Sequence, residues 1–265
     1  MEYIFRHPYK DRTFSQIMRH FLSFFISKID NLTHIHIPFP TKELNDEFET
    51  IFDTKMVIDG TENNYDLVKL RRERKIYSAP DQNLVKMSDS KNKININKIF
   101  SDENLALMKR AYRLTKTSHL DSNINVCVHI RRGDVVNENS GRFTHINFFA
   151  DIIEKIQNLK IPNCIFHIYS DSEIELKNKG NIQYHINSDL MLSIHEMIKS
   201  DIFIMSIGSN LSQFAAIMNE SLVFLDKKKL KPCFNNNYNI YWSEHKNIII
   251  EEEEFMKKIQ EGFND

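Results

Sequence analysis

The chain has 265 residues, 41% of them hydrophobic, which is enough to bury a substantial core in one large or two modest α/β domains. Its 35 basic and 36 acidic residues give a formal net charge of -1. This balance argues against a nucleic-acid-binding protein, because such proteins usually carry an excess of Lys and Arg on one face. Any site for an anion must therefore be local.

No part of the sequence has the pattern of a signal peptide or a membrane span. The first apolar stretch, residues 21–26, is short, and His20 and Lys28 flank it. The three cysteines lack the spacing of a metal site and cannot all pair as disulfides. We therefore expect a cytoplasmic protein without a transmembrane segment.

The first part of the chain alternates between helical and strand patterns. Residues 12–29 place large apolar side chains at helical spacing, which predicts an amphipathic helix. Strand patterns follow at residues 34–38 and 55–59, and a later helix has Ser101 as its predicted N-cap. We assign residues 1–118 to an N-terminal α/β lobe.

From residue 124 the alternation becomes regular. Strands are predicted at residues 124–130, 164–169, 202–206 and 221–225, and helices at 144–158, 190–199 and 210–218. Strands separated by helices predict a parallel, doubly wound sheet, which we assign to a second, Rossmann-like lobe of residues 119–230. The remaining tail, residues 231–265, ends in a predicted helix whose glutamates precede its lysines, as the helix dipole favours.

Arg131 and Arg132 directly follow the first strand of this second lobe. The carboxyl ends of the strands are where ligands bind in an open α/β sheet. Two adjacent guanidinium groups can hold the oxygens of a diphosphate bidentately, which a lysine cannot do. The position predicts a site for an anionic, nucleotide-derived ligand. The alternative is that both arginines form surface ion pairs with local carboxylates.

A turn containing Gly208, Ser209 and Asn210 joins a predicted strand to a predicted helix. Small residues let the backbone approach a ligand, and the N–H groups of a helix N-terminus attract anions. The alternative is that Ser209 or Asn210 simply caps the helix. If the arginines lie on a neighbouring strand, both features can bind one diphosphate.

The segment His129-Ile130-Arg131-Arg132-Gly133-Asp134 resembles the His-x-Arg-Arg-x-Asp signature of the GDP-fucose-dependent fucosyltransferases. Within that superfamily, its residues are most similar to the motif of the α1,2-fucosyltransferases. Two further segments, residues 166–171 and 201–219, resemble that superfamily's later motifs in the same order. The resemblance spans residues 124–225. It implies a glycosyltransferase of B type with two Rossmann-like lobes, in which the first lobe faces the acceptor and the tail helix packs back on the first lobe.

The resemblance also implies an activity, namely transfer of fucose from GDP-fucose to a saccharide acceptor with inversion, without a metal or another cofactor. His129, Arg131, Arg132 and Ser209 match positions that contact the donor in the superfamily, with Gly208 and Asn210 beside Ser209 in the same turn. The arginines would stabilise the departing diphosphate.

Several residues are candidates for the catalytic base and for recognition of the guanine of the donor. Asp134 and Glu138 are the nearest carboxylates in sequence that can deprotonate the acceptor, although Asp134 is also placed to hold the arginines. Ser193 occupies the position at which related enzymes carry an acidic residue for guanine, and Glu196 or Asp171 can substitute for it.

Two departures from the superfamily keep other functions open. Residues 6–16 lack the glycine-rich loop with which most members begin, and residues 212–214 lack the Trp-Trp pair of the α1,2 enzymes. One alternative is a glycosyltransferase with another nucleotide-sugar donor. The other is a non-catalytic protein that binds a nucleotide sugar or a glycan.

Overall fold

A computed structural model describes residues 2–5, 13–61, 64–73, 75–78, 99–115, 119–133, 135, 143–177, 180–206, 209–225 and 248–263. The chain forms two compact units, Met1–Leu114 and Thr115–Asp265. Each unit has its own parallel sheet, which confirms the predicted α/β fold class. Within these described ranges, no helix is long and apolar enough to cross a membrane.

The first unit contains a four-stranded parallel sheet in the order β3-β2-β1-β4. Its strands are β1 (Tyr3–Phe5), β2 (Thr33–His36), β3 (Gly60–Thr61) and β4 (Ile76–Ser78). Its helices are α1 (Thr13–Ile29), α2 (Lys42–Ile51), α3 (Thr54–Val57), α4 (Leu67–Arg72) and α5 (Asp102–Ala111).

Aromatic side chains fill the core of the first unit. The α1 residues Phe21 and Phe25 are fully buried, and the Phe21 ring meets Phe52 edge to face at 4.8 Å between centroids. The predicted strand at residues 55–59 is wrong. Asp53 accepts the backbone N–H of Lys55 at 3.1 Å and starts the short helix α3 there, so β3 begins only at Gly60.

The second unit contains a six-stranded parallel sheet in the order β10-β9-β8-β5-β6-β7. Its strands are β5 (Ile124–His129), β6 (Cys164–Ser170), β7 (Ile182–Ile186), β8 (Ile202–Ile204), β9 (Leu222–Phe224) and β10 (Ile248–Ile249). Its helices are α6 (Ile146–Asn158), α7 (Leu190–Lys199), α8 (Asn210–Met218) and α9 (Glu252–Phe263). The first strand of this unit, β5, lies at the centre of the sheet. When the strands are numbered from β5 in chain order, their order is the doubly wound Rossmann order 3-2-1-4-5-6.

Successive side chains of β5 point to opposite faces of this sheet. Val126 and Val128 of β5 belong to the apolar core that includes residues of α6 and α9. Cys127 and His129 alternate with them and point to the opposite face, where Cys127 contacts α7 and His129 contacts α8.

The C-terminal helix α9 belongs to the second unit. Phe255 and Ile259 are both 0% exposed within its core, and the Phe255 ring stacks on Phe224 of β9 with centroids 4.5 Å apart. The helix therefore packs within the second unit, where its apolar stripe completes the core around β9 and β10, and the expectation that it also packs back on the first lobe stays a prediction. Residues 226–247 of the tail lie outside the described part of the chain.

Candidate functional site

The order in which the chain adds strands to the second sheet reverses between β5 and β8. From β5 the chain builds outward through β6 and β7, whereas β8, β9 and β10 extend on the other side. Ligands of open α/β sheets bind outside the carboxyl ends of the strands at such a switch point. The arginine motif follows β5 and the Ser-rich turn follows β8, so the structure brings the two predicted features to the same crevice.

Three buried side chains join the end of β5 to the turn after β8. The Ser212 hydroxyl lies 2.5 Å from His129 Nδ1 and accepts the backbone N–H of Ser206 at 3.1 Å. The Ser206 hydroxyl in turn accepts the backbone N–H of Arg131 at 3.3 Å. His129, Ser206 and Ser212 are at most 9% exposed. The contacts fix the backbone at Arg131 relative to the start of α8.

The N-terminus of α8 is capped by Ser209, whose hydroxyl accepts the backbone N–H of Ser212 at 3.3 Å. The Ser209 side chain is 3% exposed. It therefore has the capping role that the sequence left open as an alternative. Asn210 is the first residue of the helix, so its backbone lies at the positive end of the α8 dipole.

The Arg132 side chain is held by its surroundings. Nη1 donates to the Arg131 carbonyl at 2.9 Å, Nη2 donates to the Thr144 carbonyl at 3.0 Å, and the guanidinium lies 4.5 Å from the centroid of the Phe143 ring. Burial lowers the pKa of Arg132, although Asp171 opposes the shift. Among the described residues, these contacts use two of the five guanidinium N–H groups.

Asp171 fastens the arginine motif to the end of β6. Its Oδ1 accepts the backbone N–H of Arg132 at 2.9 Å. Its Oδ2 lies so close to Gly133 that a Cβ built on the glycine would be 2.1 Å away. A larger residue at this position of the motif would therefore displace the Asp171 carboxylate.

The electrostatics of the crevice keep His129 neutral. Burial lowers the pKa of His129 to about 4, the nearby charge of Asp171 acts against that shift, and the charge of Arg131 adds to it. Positive charge at the strand end therefore comes from the arginines and not from the imidazole.

Two candidates for base recognition are engaged inside the protein. The Ser193 hydroxyl donates to the Asp189 carbonyl at 2.7 Å and also lies 2.7 Å from the Ser188 hydroxyl. The Glu196 carboxylate is 0% exposed. It accepts the Tyr169 hydroxyl at 2.5 Å, and the backbone and ring N–H groups of His119 at 2.8 and 2.9 Å. Glu196 therefore acts as a buried hydrogen-bond acceptor with a structural role, and among the three candidates Asp171 alone is exposed.

Three predicted site residues, Asp134, Glu138 and Gly208, lie outside the described residues, as do residues 6–12 at the position of the expected glycine-rich loop. The sequence analysis included Ser206 in the predicted turn but missed Ser212 as a site residue. A buried serine in a helix has no distinguishing sequence pattern. Only the strand order reveals that Ser212 faces the end of β5.

A separate cleft of about 360 Å³ lies in the first unit. It opens at the carboxyl ends of β2 and β3, at His36 and Thr61. The other lining residues are Pro38, Asn45, Phe48, Glu49, Thr54, Lys55 and Ile58. Its volume is within the range of small-molecule sites, about 300–1,000 Å³.

The strand order defines the second unit as a Rossmann-type parallel α/β unit with arginines at its switch point. No protein-family model matches the chain, and no curated protein matches its sequence. Among solved structures, the chain is similar to the NodZ alpha-1,6-fucosyltransferase soaked with GDP-fucose, with a TM-score of 0.50 and 11% identity over 82% of this chain and 92% of that one. It is also similar to POFUT1 in complex with GDP-fucose, with a TM-score of 0.46 and 10% identity over 83% and 95%. The likeness to NodZ supports a common fold.

Proposed function

We propose that the protein is a glycosyltransferase that transfers fucose from GDP-fucose to a saccharide acceptor, with inversion and without a metal. The observation that carries the proposal is the convergence of Arg131, Arg132 and the N-terminus of α8 at the crevice between β5 and β8. The fold shared with a fucosyltransferase soaked with GDP-fucose supports the choice of donor.

In the proposed reaction the acceptor hydroxyl attacks the anomeric carbon of the donor. The bond between this carbon and the diphosphate oxygen breaks on the opposite face, and GDP leaves with the bonding electron pair. The acceptor proton passes to a carboxylate, for which Asp134 and Glu138 are the candidates. The arginines and the helix dipole of α8 stabilise the charge that develops on the diphosphate.

The residues of the arginine motif favour the α1,2 subfamily of fucosyltransferases. The first unit takes the acceptor side, and its cleft beside His36 and Thr61 is the candidate for a saccharide. A cytoplasmic location is favoured by Cys127 and Cys164, which are free thiols in the structure.

A second candidate is a glycosyltransferase with another nucleotide-sugar donor. The hydroxyl of Ser193 and the carboxylate of Glu196 are both engaged within the protein, which removes two of the side chains expected to read guanine. A different base is then recognised by other groups at the same crevice.

Thermal shift with GDP, UDP, CMP and GDP-fucose distinguishes these donors. We expect stabilisation by GDP and GDP-fucose and none by UDP or CMP, and stabilisation by UDP alone would overturn the fucose assignment. Hydrolysis or transfer of GDP-fucose then separates an enzyme from a non-catalytic binder.

Arginine variants test the site itself. Arg131→Ala should weaken GDP binding about 30-fold, since a hydrogen bond to a charged group contributes about 2 kcal/mol. Arg110→Ala is the matched control, because Arg110 is exposed on α5 in the first unit. Unchanged GDP binding by Arg131→Ala and Arg132→Ala would place the nucleotide elsewhere.

A further inference from the structure

The hydrogen-bond partners of the Ser212 hydroxyl determine which of its contacts it donates and which it accepts. It is 0% exposed, accepts the backbone N–H of Ser206 at 3.1 Å and lies 2.5 Å from His129 Nδ1. A serine hydroxyl has one proton to donate. If His129 Nδ1 carried a proton and donated it, Ser212 would accept twice and its own proton would need another acceptor. Among the described residues, the structure gives it none.

The other arrangement satisfies both the Ser212 hydroxyl and Nδ1 of His129. Ser212 accepts from Ser206 and donates its proton to an unprotonated Nδ1 of His129. The single proton of the neutral imidazole then lies on Nε2. A buried hydroxyl without an acceptor is costly, which favours this arrangement.

The neighbouring charges agree with a neutral ring. Arg131 lies two residues after His129 in the motif and disfavours a positive charge on the ring, whereas Asp171 at the end of β6 favours it. The hydroxyls of Ser206 and Ser212, from the turn after β8 and from α8, are neutral. Burial of the ring, at 9% exposure, sets the balance towards the neutral form.

We propose that Ser212 is a positioning residue that fixes His129 in the Nε2-protonated tautomer, so that His129 presents a neutral N–H donor to an oxygen of the bound nucleotide diphosphate. The imidazole lies at the carboxyl end of β5, and none of the described residues accepts a hydrogen bond from Nε2. A donor without charge complements the arginines, since it orients one oxygen without adding to the positive charge. The ligand in this inference rests on the proposed function, whereas the tautomer does not.

The tautomer is measured directly by the ¹⁵N chemical shifts of the His129 ring in the wild-type protein without ligand at pH 7. We expect Nε2 to be protonated and Nδ1 to be an acceptor. A protonated Nδ1 would overturn the assignment whether or not GDP binds. A wild-type protein that has this tautomer but does not bind GDP would contradict the proposed function and leave the role of Ser212 in fixing the ring intact.

Binding variants test the positioning role. Ser212→Ala should weaken GDP binding about tenfold, as expected for the loss of one well-oriented hydrogen bond, and Ser212→Thr, which keeps the hydroxyl, should restore most of it. Ser27→Ala is the matched control, because Ser27 is a buried helical serine of the first unit that donates to the Phe24 carbonyl at 2.5 Å. Thermal unfolding confirms that each variant is folded.

Substitutions of His129 separate the two ring nitrogens. His129→Gln places an amide N–H near the position of Nε2 and should retain more GDP binding than His129→Asn, whose amide lies nearer Nδ1. Ser212→Ala in a His129→Ala background should cause no further loss, because the hydroxyl acts through the imidazole. Losses that multiply, or better binding by His129→Asn than by His129→Gln, would refute the proposal.

Discussion

The contact between Gly133 and Asp171 leads to a quantitative prediction for Gly133→Ala. A Cβ at Gly133 would lie 2.1 Å from Asp171 Oδ2 and 2.7 Å from Cγ, so the carboxylate must retreat by about 1 Å. Gly133 does not have a left-handed φ, and the backbone itself accepts alanine. The retreat breaks the 2.9 Å hydrogen bond from the Arg132 backbone to Asp171 Oδ1. Because Asp171 is exposed, we take the low end for a charged acceptor and expect a loss of about 1.5 kcal/mol in the free energy of unfolding.

Urea unfolding of a double-mutant cycle isolates this contact. Asp171→Ala alone removes the same hydrogen bond, and Gly133→Ala in that background should then cost little, because the clashing atoms are gone. The expected coupling energy is about 1.5 kcal/mol. Gly262→Ala is the matched control, since no atom lies within 4 Å of its built Cβ. It should stabilise α9 by about 0.5–1 kcal/mol through helix propensity. Wild-type stability of Gly133→Ala, or additive losses in the cycle, would refute the reasoning.

Three further predictions concern the stability of the second unit. Because the pKa of His129 falls from 6.5 to about 4 on folding, the unfolded chain binds its proton first as the pH drops. Between pH 7 and 4 the free energy of unfolding of the wild type should therefore fall by up to about 3 kcal/mol more than that of His129→Gln, measured by urea unfolding. Equal losses in the two proteins would contradict the lowered pKa of His129. Glu196→Ala leaves the buried hydroxyl of Tyr169 and the ring N–H of His119 without their acceptor, and should lower the free energy of unfolding by about 3 kcal/mol, whereas a loss below about 1 kcal/mol would show that the network relaxes. Ser209→Ala removes the cap of α8 and should cost about 1 kcal/mol, measured in the same way, and an unchanged midpoint would count against the cap.

The elements of the second unit were largely predictable because its central strands are buried on both faces. Residues 124–129 are almost fully buried, and the apolar run identifies the strand and its end. The edge strand β7 was missed for the opposite reason. Gln183 and Tyr184 are exposed, and His185 is its single buried residue, so its sequence lacks the continuous apolar run of a strand that is buried on both faces. Edge strands with polar side chains carry little hydrophobic signal.

The two arms of the candidate site were predicted, but not the contacts that hold them. Arg131, Arg132 and the turn before α8 could be placed at strand ends by the order of elements alone. Arg132 donates to the Thr144 carbonyl and stacks on Phe143. Both contacts come from a connection whose sequence has no periodic pattern, so they could not be predicted. The role of Ser212 depends on a distance between residues 83 positions apart.

These contacts explain why two adjacent arginines at one strand end can act as a fixed anion site. The Arg131 backbone N–H is bonded to Ser206 after β8, and the Arg132 backbone N–H is bonded to Asp171 after β6. The motif is thus fixed from both neighbours of the central strand. Since Arg132 is also held by two carbonyl contacts, little side-chain entropy remains to be lost when a phosphate binds. An ordinary surface Arg-Arg pair lacks this support, and its ordering would offset much of the charge interaction. The surrounding hydrogen bonds therefore preorganise the motif in the way that the proposed function requires.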